Sequence, residues 1–326
     1  MTMNPSFNQL YAAAKSARKI LITGPKFPDG DSIGACLALA FAFEQFSSAK
    51  IEVFGELSFR YQWLPKSNSF LKNNHVSENY DLAIVLDGDR HRLPSEIHGP
   101  YHTAKTKAVI DHHASTNLDG YNICIVSPES ASTCELLLPL LLSWNIEINS
   151  LLATWLYTGI IFDTGGFRHS NTTSETHYLA ADLLSHQINH NLITTKILME
   201  RQKSGIALLA HALNQIEYLN DGIIAYCAIS YEKIVTLQAQ EGDFEGIVEN
   251  MLYIEGVELS CLLLERSPSF TKISLRSRQD YNVALLAKKI SPKGGGHARA
   301  AGAIIEVPLS VCEAKIIADI VDYLRS

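Results

Sequence analysis

The first half of the chain alternates short apolar runs with longer stretches of helical spacing. The runs KILIT (19–23), KIEVF (50–54), DLAIVL (81–86), KAVI (107–110) and YNICIV (121–126) are short and rich in Ile and Val. Strands covered on both faces read this way. Helical patterns lie between several of them, notably Ile33–Phe46, and continue over 131–143, 150–162 and 174–187. Pro139 is expected to kink or split the first of these later helices, because it offers no N–H and crowds the preceding turn. The alternation predicts an α/β fold whose N-terminal domain is a parallel sheet with helices on both faces.

A stretch near 190–218 reads as helical, with Gly205 its one glycine. The second half begins again with the strand GIIAYCAIS (222–230). Further strands are expected near 257–265, 271–276 and 302–307, with the glycine-rich turn KGGGHARAAG before the last of them and a helix at the end. The expected organisation is a domain over 1–188, a helical linker over 189–218 and a smaller α/β domain over 219–326, with no internal repeat.

Composition narrows the class. With 326 residues, 47% apolar and 19% charged, the chain suits two soluble domains. No apolar stretch approaches the roughly 18 residues of a membrane span. The start, MTMNPSFNQLYAAAKSARK, lacks the apolar core of a signal peptide, so a cytoplasmic protein without membrane contact is expected. Six cysteines are scattered without a CxxC pair, which argues against zinc ribbons and redox dithiols. The net charge of −7 opposes binding to duplex DNA. Yet Arg266–Arg299 holds eight Lys or Arg against one acid, Asp280. An acidic body with one basic segment suits a small anionic substrate.

The chemistry-bearing residues follow the strands. Asp29 and Asp31 come just after the first, Asp87 ends the AIVLD run, and Asp111 ends AVID with His112 and His113 at once behind it. Parallel strands share one carboxyl edge, where ligands bind, so these groups should converge there. Asp163, in GIIFDTGGF, sits at the end of a helical pattern. So many carboxylates in one crevice need cations, and oxygen-rich donors with imidazole suit Mn²⁺ or Mg²⁺. Two such ions about 4 Å apart would suit attack on phosphorus. In the second domain Arg276 and Arg278 alternate on one strand and share a face, an arrangement fitted to phosphate. Gly294–Gly296 allow close approach of an anion to backbone N–H groups, and His297 follows.

PDGDSIGA, VLDGD, VIDHHAS and GIIFDTGGFRHSNT resemble, in order, the four motifs of the DHH phosphoesterase superfamily. SLRSRQDYNVALLAKKISPKGGGHARAAGA resembles its associated C-terminal substrate-binding domain. The layout is most similar to bacterial nano-RNases that also act as 3′-phosphoadenosine 5′-phosphate phosphatases, and stand-alone cyclic dinucleotide phosphodiesterases share it. The resemblance implies a manganese-dependent hydrolase of short oligonucleotides or small nucleotides, with a homodimer as one admissible assembly. Asp29 and Asp87 would bind one metal. Asp31, Asp87, His112 and Asp163 would bind the other, with Asp87 bridging. Asp111 would orient ligands, and His113 would contact the scissile phosphate or help the leaving oxygen. Arg276, Arg278, Gly295, Gly296 and His297 would bind substrate.

One position departs from the family pattern. The first motif normally begins with a histidine where this chain has Pro25. The first metal therefore lacks a nitrogen donor and its site is weakened. Water or a neighbour such as Asp89 or His91 would fill the place, or the Lys26 ammonium would replace that ion. The third alternative is a protein that has lost catalysis and kept nucleotide binding.

Overall fold

The computed structural model describes residues 5–71, 76–278 and 281–325. The chain divides into two compact units, Met1–Glu200 and Arg201–Ser326. In the first, six parallel strands form one sheet: β1 (Lys19–Thr23), β2 (Lys50–Phe54), β3 (Phe70–Leu71), β4 (Leu82–Leu86), β5 (Thr106–Asp111) and β6 (Ile123–Val126). Their spatial order is β3-β2-β1-β4-β5-β6. The order reverses between β1 and β4, where Ile20 pairs with Leu82 and Thr23 with Val85. A crevice outside the carboxyl ends of the strands at such a reversal is where open α/β sheets bind ligands.

Alternation along the strands explains the two covered faces. Ile20, Ile22, Leu82, Ile84 and Leu86 enter a large core, and Leu21, Ala83 and Val85 enter a smaller one on the other face. The large core packs against α1 (Pro5–Ser16) and α2 (Gly30–Glu44). The small one is closed by Leu93, Ile97, and Tyr101 of α3 (His98–Thr103). Three more helices follow: α4 (Thr133–Ser143), α5 (Ser150–Asp163) and α6 (Ser174–Ser185). Helix α4 runs unbroken through Pro139, against the expectation of a split. Leu136, Leu137, Leu138, Leu140 and Leu141 are buried on both sides of that proline, so packing holds the helix together.

The stretch near 190–218 is not one helix. It comprises α7 (His190–Thr194), a π-turn at Thr195–Met199, and α8 (Lys203–Asn214), which belongs to the second unit. That unit contains a mixed sheet of β7 (Glu217–Leu219), β8 (Ile224–Ile229), β9 (Leu259–Ser267), β10 (Phe270–Ser277), β11 (Gly295–His297) and β12 (Ala300–Ile305), ordered β11-β12-β10-β9-β8-β7. Its helices are α8, α9 (Tyr231–Thr236), α10 (Ile247–Leu252), α11 (Val283–Ile290) and α12 (Leu309–Arg325). Part of the expected glycine-rich turn is the short strand β11, with Gly295 opposite Gly302 and His297 opposite Ala300. No helix among the described residues is long and apolar enough to cross a membrane.

Candidate metal centre and anion-binding face

The acids converge as the strand ends predict. One donor atom each from Asp31, Asp87, His112 and Asp163 lies within 4.8 Å of the others, and Asp87, Asp111, His112 and His113 form an overlapping set. Each arrives by a different local device. Asp31 lies in the first turn of α2, and its carboxylate accepts the Thr133 N–H at 2.6 Å and the Cys134 N–H at 2.9 Å. These are orphan donors of the first turn of α4, where a carboxylate is favoured. Asp87 follows β4 with φ of 59°, a conformation that aspartate tolerates better than most residues, and its N–H returns to the Ile110 carbonyl at 3.0 Å. Asp163 is the last residue of α5.

The DHH triplet is held by its own aspartate. Asp111 Oδ1 accepts the N–H of His112 at 2.8 Å and of His113 at 3.2 Å, and sits 2.7 Å from His113 Nδ1. Thr116 donates its hydroxyl to Asp111 Oδ2. An imidazole whose Nδ1–H is committed to a carboxylate has its tautomer set, and Nε2 points away from that carboxylate. His112 differs. Its Nδ1 faces the Ser130 carbonyl at 3.3 Å, and its Nε2 lies 2.9 Å from Asp163 Oδ2 and 3.5 Å from Asp87 Oδ1. A carbonyl can be satisfied only by N–H, so in the neutral ring the Nε2 lone pair joins carboxylate oxygens around one point. That donor set fits a hard divalent cation with mixed oxygen and nitrogen ligands.

The titration behaviour expresses the same excess of acid. Burial, then the charges of Asp87, Asp163 and Asp31, raise the Asp29 carboxyl well above its ordinary value. Burial, then Asp163 and Asp87, do the same to Asp31, partly offset by His112 and the Cys134 N–H. Burial opposes ionisation of Asp87, but the hydrogen bond from His112 and the charges of His113, His112 and Arg92 hold it low. Asp111 is likewise held low, against its burial, by His113 and Thr116. Burial resists the charged form of His112, and Asp163 and Asp87 overcome it, raising that imidazole.

Asp29 stands apart from both donor sets. Its Oδ1 caps α2, accepting the N–H of Asp31 and of Ser32 at 3.1 Å each. Asp89 and His91 do not join the cluster either. Asp89 accepts the N–H of His91 at 2.9 Å and of Asn117 at 3.0 Å, so it braces two loops, and His91 is exposed. Pro25 is buried, whereas Lys26 is exposed with its ammonium over the Phe27 ring.

In the second unit Arg276 lies on β10 and Arg278 just past the end of that strand, and both are half-buried. Each already has partners there. Arg276 Nε donates to Glu249 Oε1 at 2.9 Å, and Arg278 donates to the carbonyls of Leu252 and Ile254, at the end of α10. Gly294 is forced by close approach, since a Cβ would lie 2.0 Å from the Ala287 carbonyl oxygen. Gly296 has φ of 137°. Gly295 is different: a Cβ there would meet nothing within 4 Å.

Residues 19–160 match the DHH family N-terminal domain, and residues 224–325 match the DHHA1 domain. The chain thus carries a DHH domain followed by a DHHA1 domain. It is 29% identical over 280 residues to the bifunctional oligoribonuclease and PAP phosphatase NrnA of Thermus thermophilus, covering 86% of this chain and 82% of that one. It is 26% identical over 297 residues to the cyclic-di-AMP phosphodiesterase GdpP of Bacillus subtilis, covering 85% of this chain but 43% of that one. The crystal structure of an exopolyphosphatase-related protein from Bacteroides fragilis superposes with a TM-score of 0.85 at 26% identity, covering 98% of this chain and 95% of the other.

Several supports of the DHH-domain site are not visible as acids or histidines. The N–H groups of Thr133 and Cys134 could have been found from Ser132-Thr133-Cys134-Glu135, which has the spacing of a capping box; Ser132 does accept the Glu135 N–H at 2.9 Å. Gly159 lies where a Cβ would come within 2.3 Å of Asp31 Oδ1, so α5 can pass the carboxylate only as glycine. A glycine inside an apolar helical pattern was the available signal. The Ser130 carbonyl and Thr116 had no such signal, because their role depends on tertiary approach.

Proposed function

We propose that this DHH-family protein hydrolyses phosphoester bonds in short oligonucleotides or in small nucleotides such as 3′-phosphoadenosine 5′-phosphate. The observation that carries the reading is the convergence of Asp31, Asp87, His112 and Asp163 on one point. The extent of the match to the oligoribonuclease and PAP phosphatase supports the substrate class. In this reading residues 1–188 form the catalytic domain, 189–218 a linker and 219–326 the substrate-binding domain. The protein works in the cytoplasm, where its six cysteines, all free thiols, stay reduced.

The four converging side chains would hold Mn²⁺ or Mg²⁺, with Asp87 also facing a second and weaker position shared with Asp29. Such cations supply positive charge to phosphate oxygens and lower the pKa of a bound water. The protein's own groups do the rest. Asp31 is held in place by α4, and Asp111 fixes both histidines of the triplet. His113, held by Asp111 through Nδ1–H, would donate an Nε2–H to a phosphate or leaving oxygen. Arg276, Arg278, Gly295, Gly296 and His297 bind substrate phosphate and nucleoside.

The match to the cyclic-di-AMP phosphodiesterase favours a second reading, in which the substrate is a cyclic dinucleotide. Purified protein with Mn²⁺, offered dinucleotides, 3′-phosphoadenosine 5′-phosphate and cyclic di-AMP, separates the two by chromatography of products. Mononucleotide or inorganic phosphate from the first two is expected. Turnover of the cyclic compound alone supports the second reading, and tight nucleotide binding without turnover supports a protein that has kept binding only.

A further inference from the structure

The converging donors of the DHH domain reach their common point on separate arms. One arm is the segment around Ala131. The Ser130 carbonyl faces His112 Nδ1 at 3.3 Å, and the Thr133 and Cys134 N–H groups hold Asp31 at 2.6 and 2.9 Å. Asp163 arrives on another arm, as the last residue of α5. Ligands serve one ion only when they are held to within about 0.5 Å of the productive geometry, so the two arms must keep register.

Asn171 ties them together. Its Nδ2 donates to the Ala131 carbonyl at 2.9 Å and to the Asp163 carbonyl at 3.2 Å. Ala131 sits between Ser130 and Ser132, the N-cap of α4, so the supports of His112 and Asp31 flank it. Carbonyls accept and cannot donate, so the amide nitrogen with its two protons is the atom that faces them. The chain doubles back sharply to deliver this group. Gly165, Gly166 and Phe167 follow one another with φ of 56°, 70° and 66°, and the N–H groups of Arg168 and His169 return to the Thr164 carbonyl at 2.9 Å each. Such φ is uncommon for a bulky residue like Phe167, and it persists only where the surroundings fix it. Asn171 Oδ1 is buried and accepts no hydrogen bond among the described residues. An orphaned buried acceptor costs stability, so what this side chain contributes lies in Nδ2. His169 gives Asp163 a second donor, Nδ1 at 2.9 Å from the same carbonyl, but it is exposed and its bond serves that one arm.

We propose that Asn171 is a positioning residue of the metal centre. Its amide holds Asp163 in register with His112 and Asp31, so that the three close together on one divalent cation, and it touches neither the ion nor the substrate. The assignment rests on the reading of this cluster as a metal site and deepens it. Asp87 and His113 are supported otherwise, by the Ile110 carbonyl and by Asp111, so the amide governs metal affinity rather than substrate contact.

The test is a calorimetric titration of the chelated full chain with Mn²⁺. Melting curves are taken on the same samples, with turnover of a dinucleotide and of 3′-phosphoadenosine 5′-phosphate. Asn171→Leu keeps the shape of the side chain and removes both donors. It should weaken Mn²⁺ binding roughly ten- to a hundredfold, the usual cost of losing a group that orients ligands. At saturating Mn²⁺, KM should stay within about twofold of wild type and kcat within about threefold. Asn171→Ala carries the same expectation if the leucine variant does not fold, and His169→Ala should cost less than either. Unchanged Mn²⁺ affinity with a lowered metal-free melting temperature makes the amide merely structural and overturns the proposal. A KM that stays raised at saturating Mn²⁺ overturns it too, by placing Asn171 against the substrate. So does an equal loss from His169→Ala, which would put the whole effect in Asp163. Weakened Mn²⁺ binding in a protein that hydrolyses neither probe removes the phosphoesterase reading and leaves the positioning role standing. A wild type that binds no Mn²⁺ removes the metal reading and this assignment with it.

Discussion

The DHH domain and the DHHA1 domain treat charge in opposite ways. The DHH domain gathers Asp29, Asp31, Asp87, Asp111 and Asp163 around two imidazoles, and among the described residues no lysine or arginine is ion-paired with any of the five. The DHHA1 domain answers its cations at home. Arg266 is paired with Glu241, Arg276 with Glu249, and Arg278 is spent on carbonyl groups at the end of α10. The first site is a deficit that only an added cation can correct. The second is a set of pre-oriented groups that must exchange a partner to bind phosphate. Disturbing the first should therefore cost more than disturbing the second.

The widest gap should come from Asp87, which belongs to both donor sets. Asp87→Ala is expected to lower turnover by at least ~100-fold, since even losses around the ligands typically cost 10–100-fold. Elemental analysis should show bound Mn²⁺ falling with it, and unchanged metal content would break the comparison. Arg276→Ala is the counterpart in the DHHA1 domain. It should act chiefly on KM, by roughly tenfold or somewhat more, with metal content intact. A kcat loss as deep as that of Asp87→Ala would mean the two sites do not divide the work this way.

Two glycines sharpen the contrast in packing. Gly159→Ala would drive a Cβ to 2.3 Å from Asp31 Oδ1 and 2.4 Å from Cys134 Sγ. Overpacking of this kind costs about 1–3 kcal/mol, and the displaced carboxylate should weaken Mn²⁺ binding as well. Gly295→Ala, facing open space, should change stability by less than about 0.5 kcal/mol. Melting curves of both variants decide it, and equal losses would remove the distinction.

The pattern of what was legible in the sequence follows the same division. Strand ends were readable because short Ile- and Val-rich runs stop at Asp87 and Asp111, and a parallel sheet has one carboxyl edge. KILIT and KIEVF match their strands residue for residue. Asp87 and the Asp111-His112-His113 run were therefore visible as strand ends, while Asp31 and Asp163, which lie on helices, were joined to Asp87 and His112 as one donor set only through the resemblance of the motifs. What escaped were groups that act through backbone or through absence: the Thr133 and Cys134 N–H groups, the Ser130 carbonyl, the missing side chain of Gly159. The continuous α4 escaped for a related reason, since leucine packing on both sides of Pro139 outweighs a local breaker. Glu249 escaped too, because nothing in its own neighbourhood of the chain announces that it lies beside a strand about 27 residues further on.

Acid excess also has a signature in pH. In chelated protein, Asp29 and Asp31 carry raised pKa values, so between the ordinary value of about 3.9 and those raised values the folded state binds more protons than the unfolded one. Stability should fall as pH climbs through that window. His112, also raised, adds a further fall above about 6.5. Asp87 and Asp111, held low, act oppositely: their contribution is present above about 3.9 and is lost as pH drops through their lowered values. The melting temperature without metal should thus decline as pH rises above the ordinary carboxylate and imidazole values towards the raised ones, and saturating Mn²⁺ should flatten the decline while releasing protons. A metal-free curve that rises steadily over that range is incompatible with this account.

The smallest effect expected is also the most diagnostic of a self-neutralised face. Arg276 lies 2.9 Å through Nε and 2.8 Å through Nη2 from Glu249 Oε1, and both side chains are partly exposed. Pairs of this exposure contribute about 0–1 kcal/mol, so a phosphate can displace the glutamate at modest cost. Glu249→Gln removes the competing charge and leaves the guanidinium in place. It should lower KM for nucleotide substrates by up to about fivefold, the equivalent of roughly 1 kcal/mol, with kcat and metal content unchanged. Arg276→Ala should abolish that gain, so the double variant should bind no better than Arg276→Ala alone; residues in contact are where such non-additivity arises. KM measured on the wild type, both single variants and the double variant completes the cycle. If Glu249→Gln weakens binding instead, the glutamate is aiming Arg276 at the substrate rather than competing for it, and the DHHA1 domain would share with the DHH domain a charge arrangement that is finished only by its ligand.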